Sequence, residues 1–186
     1  HWYPSVDHPA DRATFELLAT VREDWEVLSN GRLLSISKGA RPGTRTHHWK
    51  LDESHPTYLS VLVAGPYEVI EDFHGDIPVN YWVYPKDVED AHRSFRKTTD
   101  IMAFFDAEFG VPYPWNKYDQ ITIPGIGGGA ESTTATVLGQ STIHNERAEQ
   151  DFPSHGLVAH ELAHHWWGNL ISYRDWGDTW LTESFG

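Results

Sequence analysis

Cysteine is absent from these 186 residues. That excludes disulfides and thiolate metal sites. Long apolar runs are also missing. None approaches the roughly 18 to 20 residues that a membrane-spanning helix needs, so no such helix is expected in this stretch. Basic residues are scarce, with 14 Lys and Arg against 27 Asp and Glu, a net charge of −13. A nucleic-acid surface needs a basic stripe, so that class of partner is excluded. The acidic balance is compatible with a cleft that attracts a cationic amino group. There is no internal repeat and no low-complexity tract. The chain starts at His1 without an initiator methionine or signal peptide, and stops three residues after Glu183. Both ends read as cut, which leaves the compartment open.

What is present points to a packed protein. Apolar residues make up 39% of the chain, and nine are tryptophan. The length suits one domain with a sizeable core, or pieces of two. Up to about residue 72 the pattern is β. Short strand candidates run over 14–21, 26–29, 33–37, 46–51, 57–64 and 67–70, split by turn signals. Of these signals, Asn30-Gly31 is a strong hairpin marker. Composition then becomes mixed near residues 73–78. A strand is expected over 79–84 and a single helix over 87–109, stopped by Gly110. Beyond it come a strand over 118–123, a glycine-rich loop over 125–129 and an extended segment over 134–142. Two further helices follow. The expected class is α+β, with one unit over 1–72 and a second over 73–186.

The chemistry concentrates in residues 160 to 183. His160-Glu161-Leu162-Ala163-His164 reads H-E-x-x-H, and Glu183 follows with eighteen residues between it and His164. On a helix, positions i and i+4 share a face, so both imidazoles can reach one metal ion. A carboxylate from a second helix completes a His₂Glu set and leaves a fourth position for water, as in catalytic zinc sites. Glu161 is placed to take a proton from that water. Random order in this His-rich chain would yield H-E-x-x-H about one time in twenty. Adding a glutamate at one fixed later spacing brings this to well under ~1%. The bland alternative is a buried helix whose histidines satisfy backbone carbonyls.

The helical context fits. Ser154 after Pro153 is the expected N-cap. Val158, Leu162, Trp166 and Leu170 recur at i+4 as a row for core packing. His160 lies about 200° around the helix from Val158, facing away from that row. His165 lacks the ligand spacing and is expected to support or line the site. The loop Gly125-Ile126-Gly127-Gly128-Gly129-Ala130-Glu131 has two readings. It is a flexible turn with a solvated Glu131, or its glycines let backbone approach a ligand while Glu131 presents a carboxylate to a cation. No phosphate-cradling pattern is present.

Three segments together carry a family resemblance. His160 to Gly168, with Asn169-Leu170, Asp175-Trp176, Trp180-Leu181 and Glu183, resembles the zinc aminopeptidases of the aminopeptidase N type. These are gluzincins, a group that includes the leukotriene hydrolase. Gly128-Gly129-Ala130-Glu131 is similar to that family's exopeptidase loop. Trp2-Tyr3-Pro4, Asp7-His8-Pro9 and Arg12-Ala13-Thr14-Phe15 resemble a segment late in its N-terminal β-domain. The resemblance implies the end of that β-domain over 1–72. Over 73–186 it implies the first half of a thermolysin-like catalytic domain. It implies one zinc per chain held by His160, His164 and Glu183, with Glu161 as general base. Glu131, with Gly128, Gly129 and Ala130, would bind peptides that have a free N-terminus.

The family pattern is not matched everywhere. Ala130 stands where methionine is usual, Ser132 where asparagine is frequent and His165 where glutamine is frequent. Thr182 and Ser184 flank Glu183 in place of asparagine and glycine. The family's transition-state tyrosine would lie beyond Gly186, and a second amine-binding residue before His1. Residues 1–186 alone are therefore expected to be inactive. Two alternatives stay open: an endopeptidase of the thermolysin kind, which would not need Glu131, and a metal-free scaffold on the same fold.

Overall fold

In the computed structural model, which describes residues 2–186, the first third of the chain is built from strands. β1 (Arg12–Arg22), β3 (Arg32–Lys38) and β4 (Thr44–Pro56) make an antiparallel sheet with β4 in the middle. β2 (Glu26–Ser29) pairs instead with β5 (Leu62–Gly65). Alternate residues of β4, namely His47, Trp49 and Leu51, are buried, as the two-residue period of a half-covered strand requires.

A five-stranded mixed sheet follows, in the order β6 (Glu68–His74), β7 (Ile77–Val83), β8 (Tyr118–Ile123), β10 (Ala135–Gly139), β9 (Gly129–Ala130). The β7–β8 and β8–β10 pairs are parallel and the outer pairs antiparallel. Because side chains alternate, the sheet feeds two cores. Tyr81, Tyr118 and Leu138 pack with the helices, while Trp82, Ile121 and Val137 pack with Val27, Leu28 and Trp49 of the β layers. The helices are α1 (Val88–Ser94), α2 (Thr98–Phe109), α3 (Glu146–Asp151), α4 (His155–Ala163) and α5 (Trp180–Phe185). The fold is α+β, as the pattern implies. Among the described residues, no helix is long and apolar enough to cross a membrane.

Three details depart from the sequence reading. The helix expected over 87–109 is two helices. The break falls where Phe95 turns into the core and stacks on Tyr81, with ring centroids 5.3 Å apart. The strand expected over 57–64 is a short turn of 3₁₀ helix, Thr57–Leu59, followed by β5. Strand β6 runs across positions 72 and 73 and pairs with β7 along its whole length. Finally, Asn30-Gly31 closes no hairpin, because β2 and β3 go to different sheets. Asn30 is instead fully buried. Its carboxamide donates to the carbonyls of Leu59 (3.0 Å) and Thr133 (2.6 Å) and accepts from Val61 N (2.8 Å). Gly31 takes φ +79° against β4, where a Cβ would lie 2.6 Å from Leu51 N. The dipeptide has turn chemistry, but it serves as a buried staple between layers.

Candidate metal centre

Helix α4 begins where the sequence places it, but its first residue is held differently. The Ser154 hydroxyl makes no capping bond. It donates to Thr142 O at 2.6 Å. The Ser154 N–H is taken by the buried Glu149 carboxylate, at 3.1 and 3.2 Å. Val158, Leu162 and Trp166 are buried as expected, but Leu170 is 38% exposed. The reason is that the helix stops at Ala163. The N–H groups of His165 and Trp166 reach back only three residues, to Leu162 O and Ala163 O. The i+4 row therefore ends before Leu170.

His160 and His164 point their Nε2 atoms to one place, 3.2 Å apart. Glu183, from α5, brings Oε2 to 3.4 Å from His160 Nε2 and 3.6 Å from His164 Nε2. These atoms form the group of three potential ligands found among the described residues. A zinc ion at about 2.0–2.1 Å from each donor, with tetrahedral angles, separates neighbouring donors by about 3.3 Å. The observed triangle brackets that value, and its nitrogen and oxygen donors suit zinc. His164 is also oriented from behind. Its Nδ1 lies 3.1 Å from Trp167 O, so Nδ1–H donates there and the Nε2 lone pair faces the triangle.

Glu161 points elsewhere. It is buried, and its carboxyl lies against the backbone of Gly129, where a Cβ would sit 2.7 Å from Glu161 Cγ. Only glycine leaves room for the carboxylate there. Burial first, and then the charges of Glu131 and Glu183, push the Glu161 carboxyl up to about 8. A cation among His160, His164 and Glu183 would oppose that effect.

The glycine loop lies over this helix. Gly128 has φ +73°, and its carbonyl accepts from Gly139 N at 2.8 Å. Gly129 and Ala130 form β9, the outermost strand of the sheet, paired among the described residues only with β10. Glu131 follows, half-buried, near enough to Glu161 for their charges to interact. Asn169 Nδ2 donates to Glu131 O at 2.8 Å and so ties the loop to the segment after α4. His165 is fully buried, and burial holds its imidazole down to about 3, hence neutral.

Two contributors carried no role in the sequence reading. Asn169 was visible only as part of a motif. Tyr58 bonds Tyr173 through their hydroxyls at 3.3 Å and interacts electrostatically with Glu131 and Glu183. It lies more than seventy positions upstream of Glu131, so no local pattern could place it.

Comparison with known proteins gives the family. Residues 93–186 match the model of the peptidase family M1 domain. Over 98% of its length the chain is 31% identical to aminopeptidase N of Oryctolagus cuniculus, covering 20% of that protein. It is 31% identical to leucyl aminopeptidase of Saccharolobus solfataricus, covering 23%, and 27% identical to aminopeptidase N of Streptomyces lividans, covering 22%. The chain thus spans about a fifth of the length of these curated relatives. With half its residues under that family model, including both helices that supply the His160, His164 and Glu183 donors, this chain belongs to peptidase family M1.

Proposed function

We propose that the protein is a zinc aminopeptidase that removes the N-terminal residue of peptides. The observation that carries this reading is the three-donor triangle with the buried Glu161 carboxylate beside it. His160, His164 and Glu183 would hold one zinc ion. When bound, zinc would activate water and polarise the scissile carbonyl. Glu161 accepts the water's proton and later returns it to the leaving amine. Its burial against the Gly129 backbone would hold the carboxylate in one place for both halves of that transfer.

Glu131 binds the free α-ammonium of the substrate by a charge-assisted hydrogen bond. Its backbone is fixed by Asn169, so this contact sets how far the chain end sits from the reacting centre. The unpaired edge of β9 offers backbone groups to an extended peptide, in the manner of an added strand. Gly128, Gly129 and Ala130 are the residues that would line it. In this reading the β layers of residues 1–72 and the sheet and helices of 73–186 are parts of two domains, with β6 carried over into the second sheet.

The test is to compare a free aminoacyl-peptide with its N-acetylated form, using the full-length protein loaded with zinc. Cleavage of the free peptide alone, one residue at a time, is expected. Equal cleavage of both forms at internal bonds would replace this reading with an endopeptidase of the thermolysin kind. Cleavage of neither would leave a scaffold.

A further inference from the structure

The imidazole of His165 is fully buried and has two polar partners. Its Nε2 lies 3.1 Å from the backbone nitrogen of Thr134, and its Nδ1 lies 3.3 Å from the carbonyl oxygen of Glu161. An amide N–H only donates and a carbonyl only accepts. Nε2 is therefore the bare nitrogen, and Nδ1 carries the hydrogen. The Glu161 carbonyl is available because the helix tightens at this point: the His165 N–H goes to Leu162 O at 3.0 Å instead.

The other end of this bridge is rigid. Thr134 has φ +66°, the one positive φ outside glycine among the described residues. For a β-branched residue such a conformation costs about 1–3 kcal/mol and persists only where its surroundings over-determine it. They do so here. The Thr134 carbonyl accepts from Lys117 Nζ at 2.9 Å and Asp119 N at 3.0 Å. Its hydroxyl accepts from Gly31 N at 2.8 Å. Three residues upstream in the same loop stands Glu131.

We infer that His165 is a positioning residue that joins the backbone of Glu161 to that of Thr134. It thereby fixes the helix bearing the proton-accepting carboxylate against the loop bearing the amine-binding one. The inference rests on the function proposed above. The bridge needs one acceptor and one donor at opposite ends of a planar group. It does not need a charge or an imidazole as such. A glutamine carboxamide has both groups, and a leucine side chain has neither.

The experiment compares His165→Gln and His165→Leu with wild type and with Glu161→Gln, all as full-length, zinc-loaded protein. His165→Leu is expected to keep stoichiometric zinc and a KM within about threefold of wild type while kcat falls about 10²-fold. That is the scale of loss for a misplacement of about 1 Å. His165→Gln is expected to restore kcat to within about threefold of wild type. Hydrogen exchange should find the Thr134 amide slow in wild type and fast in His165→Leu.

Wild-type kcat in His165→Leu would overturn the inference. So would equal losses in both variants with zinc and fold intact, since the ring and not the bridge would then matter. If His165→Leu does not fold, the wild-type amide decides. A fast Thr134 amide overturns the bridge, and a slow one with an active His165→Gln upholds it. Glu161→Gln separates the two levels. If that variant turns over like wild type, the proposed function itself fails. If it is dead while His165→Leu is normal, only the bridge fails.

Discussion

At the scale of single residues, the proposed chemistry turns on Glu161 and the glycine it touches. Glu161→Gln removes the proposed proton acceptor and leaves the three-donor triangle intact. The expected result is retained zinc, similar substrate affinity and a kcat lower by about 10²–10⁴-fold, read from steady-state kinetics beside metal analysis. Near-normal turnover would remove Glu161 from the chemistry. Gly129→Ala approaches the same carboxylate from the other side. A methyl group there collides with Glu161, so the carboxylate must move. The protein should fold and bind zinc, yet lose about 10²-fold in kcat. Wild-type kcat in that variant would contradict the close approach. Glu131→Ala probes the remaining carboxylate, and should weaken binding of free-amine substrates by about 1.5–3 kcal/mol with little effect on N-acetylated ones. Equal losses on both would deny it the amine.

At the scale of elements, the β layers and the segment leading into β10 meet at a few buried polar contacts. Asn30 is the densest of these. Replacing it with alanine strands the carbonyls of Leu59 and Thr133 and the N–H of Val61 in the interior. A loss of about 2–4 kcal/mol is expected in chemical unfolding, since each stranded group costs about 1–3 kcal/mol before relaxation. An unchanged midpoint would mean that the staple carries no weight.

This element also shows where the sequence stops being legible. His160, His164 and Glu161 follow from a helical period of one short segment, so their mutual placement is visible in the letters. Asn30-Gly31 has the letters of a hairpin. Whether β2 pairs with β3 or with β5 depends on contacts some thirty positions apart, and no local pattern encodes that. Phe95 likewise reads as one apolar position in a continuous helix, and only its core partner Tyr81 explains the break. The Glu161–Gly129 contact and the His165 bridge are long-range as well, and so were not visible.

At the scale of the whole molecule, buried neutral histidines tie stability to pH. Burial first, and the nearby Arg12 charge second, hold the His55 imidazole down to about 4. His47 and His165 are lowered as well, with burial the leading cause in each. In the unfolded chain a histidine titrates near 6.5, so between about pH 6.5 and 4 the unfolded state binds more protons. Stability therefore rises with pH across that window and is lost on acidification through it. For His55 alone the loss is about 3 kcal/mol. Acid also strips metal from imidazole ligands, so the comparison should be between wild type and His55→Phe. The variant should show a shallower fall in Tm from pH 6.5 to 4, and equal slopes would refute the assignment.

Everything proposed for the site depends on His160, His164 and Glu183 together holding one zinc ion. Metal analysis of the full-length protein beside its His164→Ala variant tests it most directly. One zinc per wild-type chain is expected, and none retained by the variant after dialysis against a mild chelator. One tightly held zinc in the His164→Ala variant would contradict it.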